Sequence, residues 1–319
     1  MYIIIVLAII IIAIIKPQFL SVSSIINIVS LTAAKLPIAL GIGGCIVLTG
    51  TDISAGRTVG LTACIAASLS LTANKLYPNL GVMPIPVVLL AVILVGACVG
   101  FVNGFSVAKF KLHPFIVTLS TQLIVYGTIL LYLKQGTNNG QTLSGFAESY
   151  RGFVTDELFR IQNVPVPRYV LYAIILTVLM WIIWNKTTFG KNMFAVGSNE
   201  EAANVSGVNV TRTIITVFVL AGVMYGLTGF IDAARIASAN ANTGLNYECD
   251  AIAACVIGGV SFVGGIGKIS GIVVGVLLLQ IIFVGLNFLS VDQNLLYIVK
   301  GLIILVACAI DMRKYLVRK

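Results

Sequence analysis

Apolar positions along this chain neither alternate nor gather on one helical face. Stretches such as IIIVLAIIIIAII near the N-terminus and VVLLAVILVGACVG around residue 95 are apolar on every side. They predict helices surrounded all round by apolar material. A spanning β-barrel would instead show segments of about ten residues with alternating character. About ten apolar segments are expected, at 2–15, 33–50, 54–73, 84–107, 115–133, 169–185, 212–236, 250–263, 268–289 and 294–311. Only Gly50-Thr51-Asp52-Ile53 separates the second from the third, and the eighth is short and glycine-rich. Either is readable as a broken or re-entrant helix, so eight to ten spans are expected. The chain starts directly on an apolar run without the basic region and small-residue site of a cleaved leader. That run is read as an uncleaved first span, although it is shorter than the roughly 20 residues a span requires.

Composition makes the class firm. Of 319 residues, 59% are hydrophobic and 10% charged, with a mean hydropathy of +1.05. Soluble domains carry about 25% charged residues, so the solvent of this fold is lipid, where helices satisfy their own backbone. The expected fold is all-α and polytopic, one membrane domain over 1–319 in the cytoplasmic (inner) membrane of the cell. The net charge of +9 suits basic loops on the cytoplasmic face, and no nucleic-acid partner is read from it. With the polar segment 186–211 placed inside, the tail residues Arg313, Lys314, Arg318 and Lys319 fall inside too, as do Lys268, Lys109, Lys111 and Arg57. Both termini come out cytoplasmic and the long loop 134–168 falls outside. Lys16, Lys35 and Lys75 go against the rule. The outer loop is expected to hold a short helix over 144–153 and a turn at Pro165 and Pro167.

Catalytic patterns are missing from the sequence. GGIGKIS fails as a phosphate loop, because Ile269 follows Lys268 and Phe262 stands where the first glycine belongs. One histidine cannot form a metal cluster, and the six cysteines include no CxxC pair. His113, before Pro114, reads as a helix cap. No catalytic residue, metal or bound cofactor is therefore assigned to the chain. Polar groups within apolar context are a different matter, since charges at membrane depth usually face protein or a water-filled cavity. Candidates for a substrate pathway are Asp52, Arg57, Asn103, Gln122, Gln280, Asn287 and Lys300. Asp52 and Arg57, five apart, are expected to pair across the break between two helices; a structural role and substrate contact both stay open for them.

The segment 186–211 reads as a partly helical cytoplasmic loop. Ser198 or Asn199 is placed to cap a turn containing Glu200 and Glu201, which favours the helix dipole. Ala202 and Ala203 offer a low face for a partner's groove, and Gly207 ends the turn.

Here the residues become familiar. FGKNMFAVGSNEEAANVSGVNV resembles the coupling segment of the ribose/galactose-type ABC transporter permeases. TGTDISAGRTVGLTACIAASL is similar to their GGIDLSVGS-type motif, and FVNGFSVAKFKLHPFIVTLST and DAIAACVIGGVSFVGGIGKISG follow in the same order. Within the family, TGTDISAGR and the long outer loop look most like the galactose/methyl-galactoside branch. The resemblance implies a subunit with no catalysis of its own that imports a monosaccharide. Two copies would work with ATP-binding subunits, which hold ATP and Mg, and a periplasmic or lipid-anchored sugar-binding protein would deliver the substrate. Phe189, Gly190, Gly197, Asn199, Glu200, Glu201, Ala202, Ala203, Ser206 and Gly207 would couple to the ATPase. A nucleoside importer of the same type and an ion-coupled secondary transporter are the alternatives; an intramembrane enzyme is disfavoured.

Overall fold

The computed structural model describes residues 12, 14–73, 75–77, 79–136 and 138–316. The expected first span lies outside these residues apart from its last positions, as do Arg318 and Lys319 of the tail. The described residues form twelve α-helices and two small two-stranded sheets. After a 3-10 turn at Pro17–Leu20 come α1 (Val22–Val47), α2 (Ala55–Leu69), α3 (Ile85–Phe110) and α4 (Pro114–Leu133). Then follow β1 (Leu143–Ser144), α5 (Glu148–Thr155), β2 (Glu157–Ile161) and β3 (Val164–Pro167). The rest is α6 (Tyr169–Lys186), α7 (Thr188–Ser198), α8 (Glu200–Val205), α9 (Val210–Ile236), β4 (Ser238–Ala239), α10 (Tyr247–Ile257), α11 (Ile269–Phe288) and α12 (Gln293–Leu316).

Six of these helices (α1, α3, α4, α6, α9 and α11) are long and apolar enough to cross a membrane. The expected eight to ten spans are not confirmed by these six, which are counted among the described residues. α2 has 15 residues and α10 only 11, so the two segments flagged as broken are indeed short. Past α10 the apolar sequence continues through non-helical, glycine-rich backbone at 258–268. In the other direction α1 starts at Val22 rather than 33: Ser21 caps it by accepting from Ser24 N, and its polar first turns hid it.

α1 and α9 form the centre, mostly buried, with α3 and α2 packed on α9 and α6, α10 and α11 on α1. Glycine makes the tightest seam. A Cβ on Gly96 would lie 2.2 Å from Gly222 O, on Gly100 2.2 Å from Phe218 O, and on Gly226 2.4 Å from Val92 O. Backbones approach that closely only where side chains are missing, and dispersion rather than hydrophobic burial then holds helices in lipid. The outward faces of α3, α4 and α6 are apolar and exposed, with Leu94, Ile124 and Ile175 among them.

The two polar loops sit at opposite ends of α6. At the Tyr169 end, α5 is pinned by Tyr150 Oη donating to Phe230 O (2.6 Å) and by Tyr172 Oη donating to Phe153 O (2.7 Å). The expected helix at 144–153 lies later, at Glu148–Thr155, and Pro165 and Pro167 belong to strand β3, not a turn. The reversal falls instead at Gln162 and Asn163, both with positive φ, as a two-residue hairpin twist demands. At the Lys186 end, Trp184 is buried against the edge of Phe194 and fixes where α7 begins.

Candidate functional site

Segment 186–211 folds into two short helices at an angle. Thr187 Oγ1 accepts from Gly190 N to start α7, and Asn199 Oδ1 accepts from Ala202 N to start α8. Asn199 is thus the cap, with Glu200 and Glu201 in the first turn. Ser206 Oγ donates to Ala202 O, and Gly207, at φ +84°, lets Val208 N return to Ala203 O. α7 lies on the bundle through Met193 and Val196. α8 borders one of two open clefts of about 650 and 680 Å³, which the turn at 207–209 separates. Lys111, Asn204 and Thr211 line one; Phe189, Asn192 and Arg212 line the other. Glu200 forms an ion pair with Lys111.

Not every coupling candidate faces outward. Ala203 is buried, so Ala202 alone supplies the low face, and the prominent apolar side chain is Val205, 89% exposed. Gly190 and Gly197 are packing positions: their Cβ atoms would lie 2.1 Å from Trp184 O and 1.9 Å from Val47 O. Gly197 and Ser198 also press on the loop before α11. A Cβ on Gly264 would meet Gly197 O at 2.3 Å, and one on Gly265 would meet Ser198 Cα at 2.8 Å, while Gly265 N donates to Val47 O. Segment 186–211 therefore touches the loop that carries the end of α10.

The pathway candidates divide into two groups and a remainder. Asp52 and Arg57 do not pair, contrary to expectation. Asp52 is fully buried and accepts from Ser54 N (3.0 Å) and Ser54 Oγ (2.6 Å), and Asn103 Nδ2 donates to the same hydroxyl (2.9 Å). With Thr118 Oγ1 bonded to Thr51 O and Ile53 N, this network pins the α1–α2 break to α3 and α4. Five residues across a break do not share a helical face, which is why the pair was misread. Arg57 turns the other way, donating to Ala241 O (2.9 Å) with its guanidinium 4.2 Å from the Tyr126 ring. Gln122 lies one turn from Tyr126 on α4, half-buried. Lys300 pairs with Asp250 at 2.9 Å. Gln280 is buried and lines a narrow cavity with Lys35, Tyr247 and Asp250. Asn287 is exposed near the end of α11.

A polar crossing unites several of these with residues that sequence reasoning missed. The non-helical stretch after α9 runs down along α2: Asn240 O lies by Cys64 Sγ, Thr243 O by Gly60, and Gly244 and Glu248 by Gly56. That is a descent of about 12 Å at 1.5 Å per helical residue. α10 therefore starts at depth within the bundle. Around its start stand Glu248, Tyr247 and Asp250, with Asp232 bound to Arg235 at 2.8 Å and the Lys35 ammonium over the Tyr247 ring. Asp232 and Lys35 carried one legible signal, a charge inside an apolar run, whereas Glu248 lies in the polar stretch 237–249; which groups they meet is set by tertiary packing. Leu245 and Cys249, on the same stretch, are exposed.

Comparison with known proteins agrees with this architecture. Residues 18–308 match a family described as branched-chain amino acid transport system / permease component. The galactose/methyl galactoside import permease protein MglC of Haemophilus influenzae is 44% identical over 306 residues, covering 95% of this chain and 90% of the relative. The protein of the same name from Escherichia coli K12 is 44% identical over 310 residues with the same coverage. The ribose import permease protein RbsC of Escherichia coli K12 is 34% identical over 305 residues, covering 95% and 90%. No solved structure matches.

Proposed function

The chain belongs to the permease-component family of the branched-chain amino acid transport systems, and on that premise we propose that it is the membrane subunit of an ABC importer of galactose or a methyl galactoside. The family description names amino acids, but relatives named for galactose share 44% identity over almost the whole length, which favours the sugar. A ribose-type sugar stands second, on relatives at 34%. The chain moves the substrate and hydrolyses nothing. ATP and Mg belong to a separate cytoplasmic subunit, and a sugar-binding protein loads the opposite end, over α5 and the β2–β3 hairpin.

One observation carries the reading: α8 is a capped ridge with Val205 exposed, beside an open cleft, while its companion α7 rests on the loop of α10. A ridge fits a groove on a motor subunit, and its backing transmits movement into the bundle. Exposed non-helical backbone at membrane depth, as around Asn242 and Leu245, is tolerated only against protein or a water-filled cavity. This face therefore lines a water-filled space between two copies, with lipid on α3, α4 and α6. In this arrangement Arg57, Gln122 and Lys300 border the pathway, while Asp52 and Asn103 hold the scaffold. The assembly sits in the cytoplasmic membrane, coupling segment and termini inside.

The test is purification and reconstitution. The chain should bring down an ATP-binding subunit, two copies of each, whose hydrolysis rises with galactose-loaded binding protein and drives galactose uptake into vesicles. Uptake driven by an ion gradient without any ATPase would overturn the reading in favour of secondary transport; uptake of nucleosides but not sugars would overturn the substrate.

A further inference from the structure

Where the first turn of α2 crosses the first turn of α10, we infer a contact site for the hydroxyls of a neutral sugar, with Glu248 accepting and Arg57 donating. The inference rests on the import reading above and adds the residues that grip the cargo. Broken helices place functional groups at the mid-depth of transporters, and α10 is such a half-helix. It begins after Gly244 and Asn246, both at positive φ, and ends at Gly258 and Gly259.

The chemistry at the crossing is unfinished in the way a ligand would complete. Glu248 is 5% exposed, and its Oε2 is buried with no hydrogen-bond partner; a buried acceptor left unmade is costly. Arg57 commits Nη1 to Ala241 O and lays its guanidinium plane on Tyr126, leaving other N–H donors of its five for a ligand. Around them cations and carboxylates alternate, Lys300 with Asp250 and Arg235 with Asp232. Mixed donors and acceptors beside an aromatic face suit an uncharged polyhydroxyl ring; an inorganic ion would select one sign.

The site is shut in this structure. A Cβ on Gly56 would lie 2.0 Å from Glu248 Oε2, and one on Gly60 2.3 Å from Thr243 O. α2 and the stretch before α10 are therefore in backbone contact, and Glu248 meets cargo only when α10 moves away. The far end of α10 leads to Gly264 and Gly265, against Gly197 and Ser198 of the coupling segment, so that movement is available to the ATPase.

Exposed Cys249, next to Glu248, provides the reporter. In the complete transporter in vesicles, with the other five cysteines changed to alanine, a thiol reagent should label Cys249 during ATP turnover, and galactose delivered by its binding protein should slow the labelling. Glu248→Gln should cut galactose uptake by about tenfold, the size of one lost charge-assisted hydrogen bond, and abolish the protection. Arg57→Lys should raise the KM for uptake. In both variants, hydrolysis stimulated by the binding protein should persist, which shows that they fold and assemble. Unchanged uptake in both variants, or labelling of Cys249 indifferent to galactose, overturns the site while leaving the importer standing. Failure of the unaltered transporter to take up galactose or ribose overturns the importer reading and the site with it.

Discussion

Glu200 sits in the first turn of α8, where its charge favours the helix dipole, and it pairs with Lys111 while about half exposed. Exposed pairs contribute about 0–1 kcal/mol, so the side chain matters more to a partner than to the fold. Glu200→Lys should leave membrane insertion and thermal stability near normal yet uncouple uptake from ATP hydrolysis in the reconstituted transporter. Normal uptake would count against α8 as the docking ridge. Combining it with Lys111→Glu restores the ion pair; if uptake returns, the pair and not the ridge was responsible. The capping of α8 was legible because caps are local: Asn199, the two glutamates and Gly207 stand in sequence order. The inward turn of Ala203 was not, since helix phase depends on what packs behind. Likewise Glu248, in a polar stretch just before an apolar run, gives no local sign of its burial; Arg57 and Gly56 come to it through the fold.

Helices in this molecule meet through glycine, and the seams make opposite demands on similar residues. Gly56 has no room for a methyl group, whereas nothing lies within 4 Å of a Cβ on Gly127 in α4. Gly56→Ala should lower the unfolding temperature in detergent, with a cost of about 1–3 kcal/mol for forced overpacking. Gly127→Ala should be neutral or stabilising by up to about 1 kcal/mol, from helix propensity. Equal effects at both positions would show that the α2–α10 crossing is loose. Six long spans and the α1–α2 break were readable because hydropathy and the TGTD punctuation are local signals. The half-helix α10 was only half readable: its apolar character continues past Ile257 into turns, and only backbone geometry separates the two.

At the scale of the whole molecule, two polar loops sit at opposite ends of α6, and the import reading places them on opposite sides of the membrane. Its 18 residues rise about 27 Å at 1.5 Å per residue, close to the roughly 30 Å of a bilayer core. One loop carries the β2–β3 hairpin with exposed Leu158, the other carries α8 with exposed Asn204. By the excess of Lys and Arg in 186–212 and the tail over the loops at 237–249 and 290–293, segment 186–212 is expected on the cytoplasmic side. In intact cells expressing a chain without native cysteines, a membrane-impermeant thiol reagent should therefore label Leu158→Cys readily. Asn204→Cys should react only after the membrane is opened, and binding of the ATP-binding subunit should then protect it. If Asn204→Cys reacts from outside, the motor has no access to the ridge. The contact from Gly197 to Gly264 and on to α10 would then carry no force from ATP, and the chain would need another source of energy for transport.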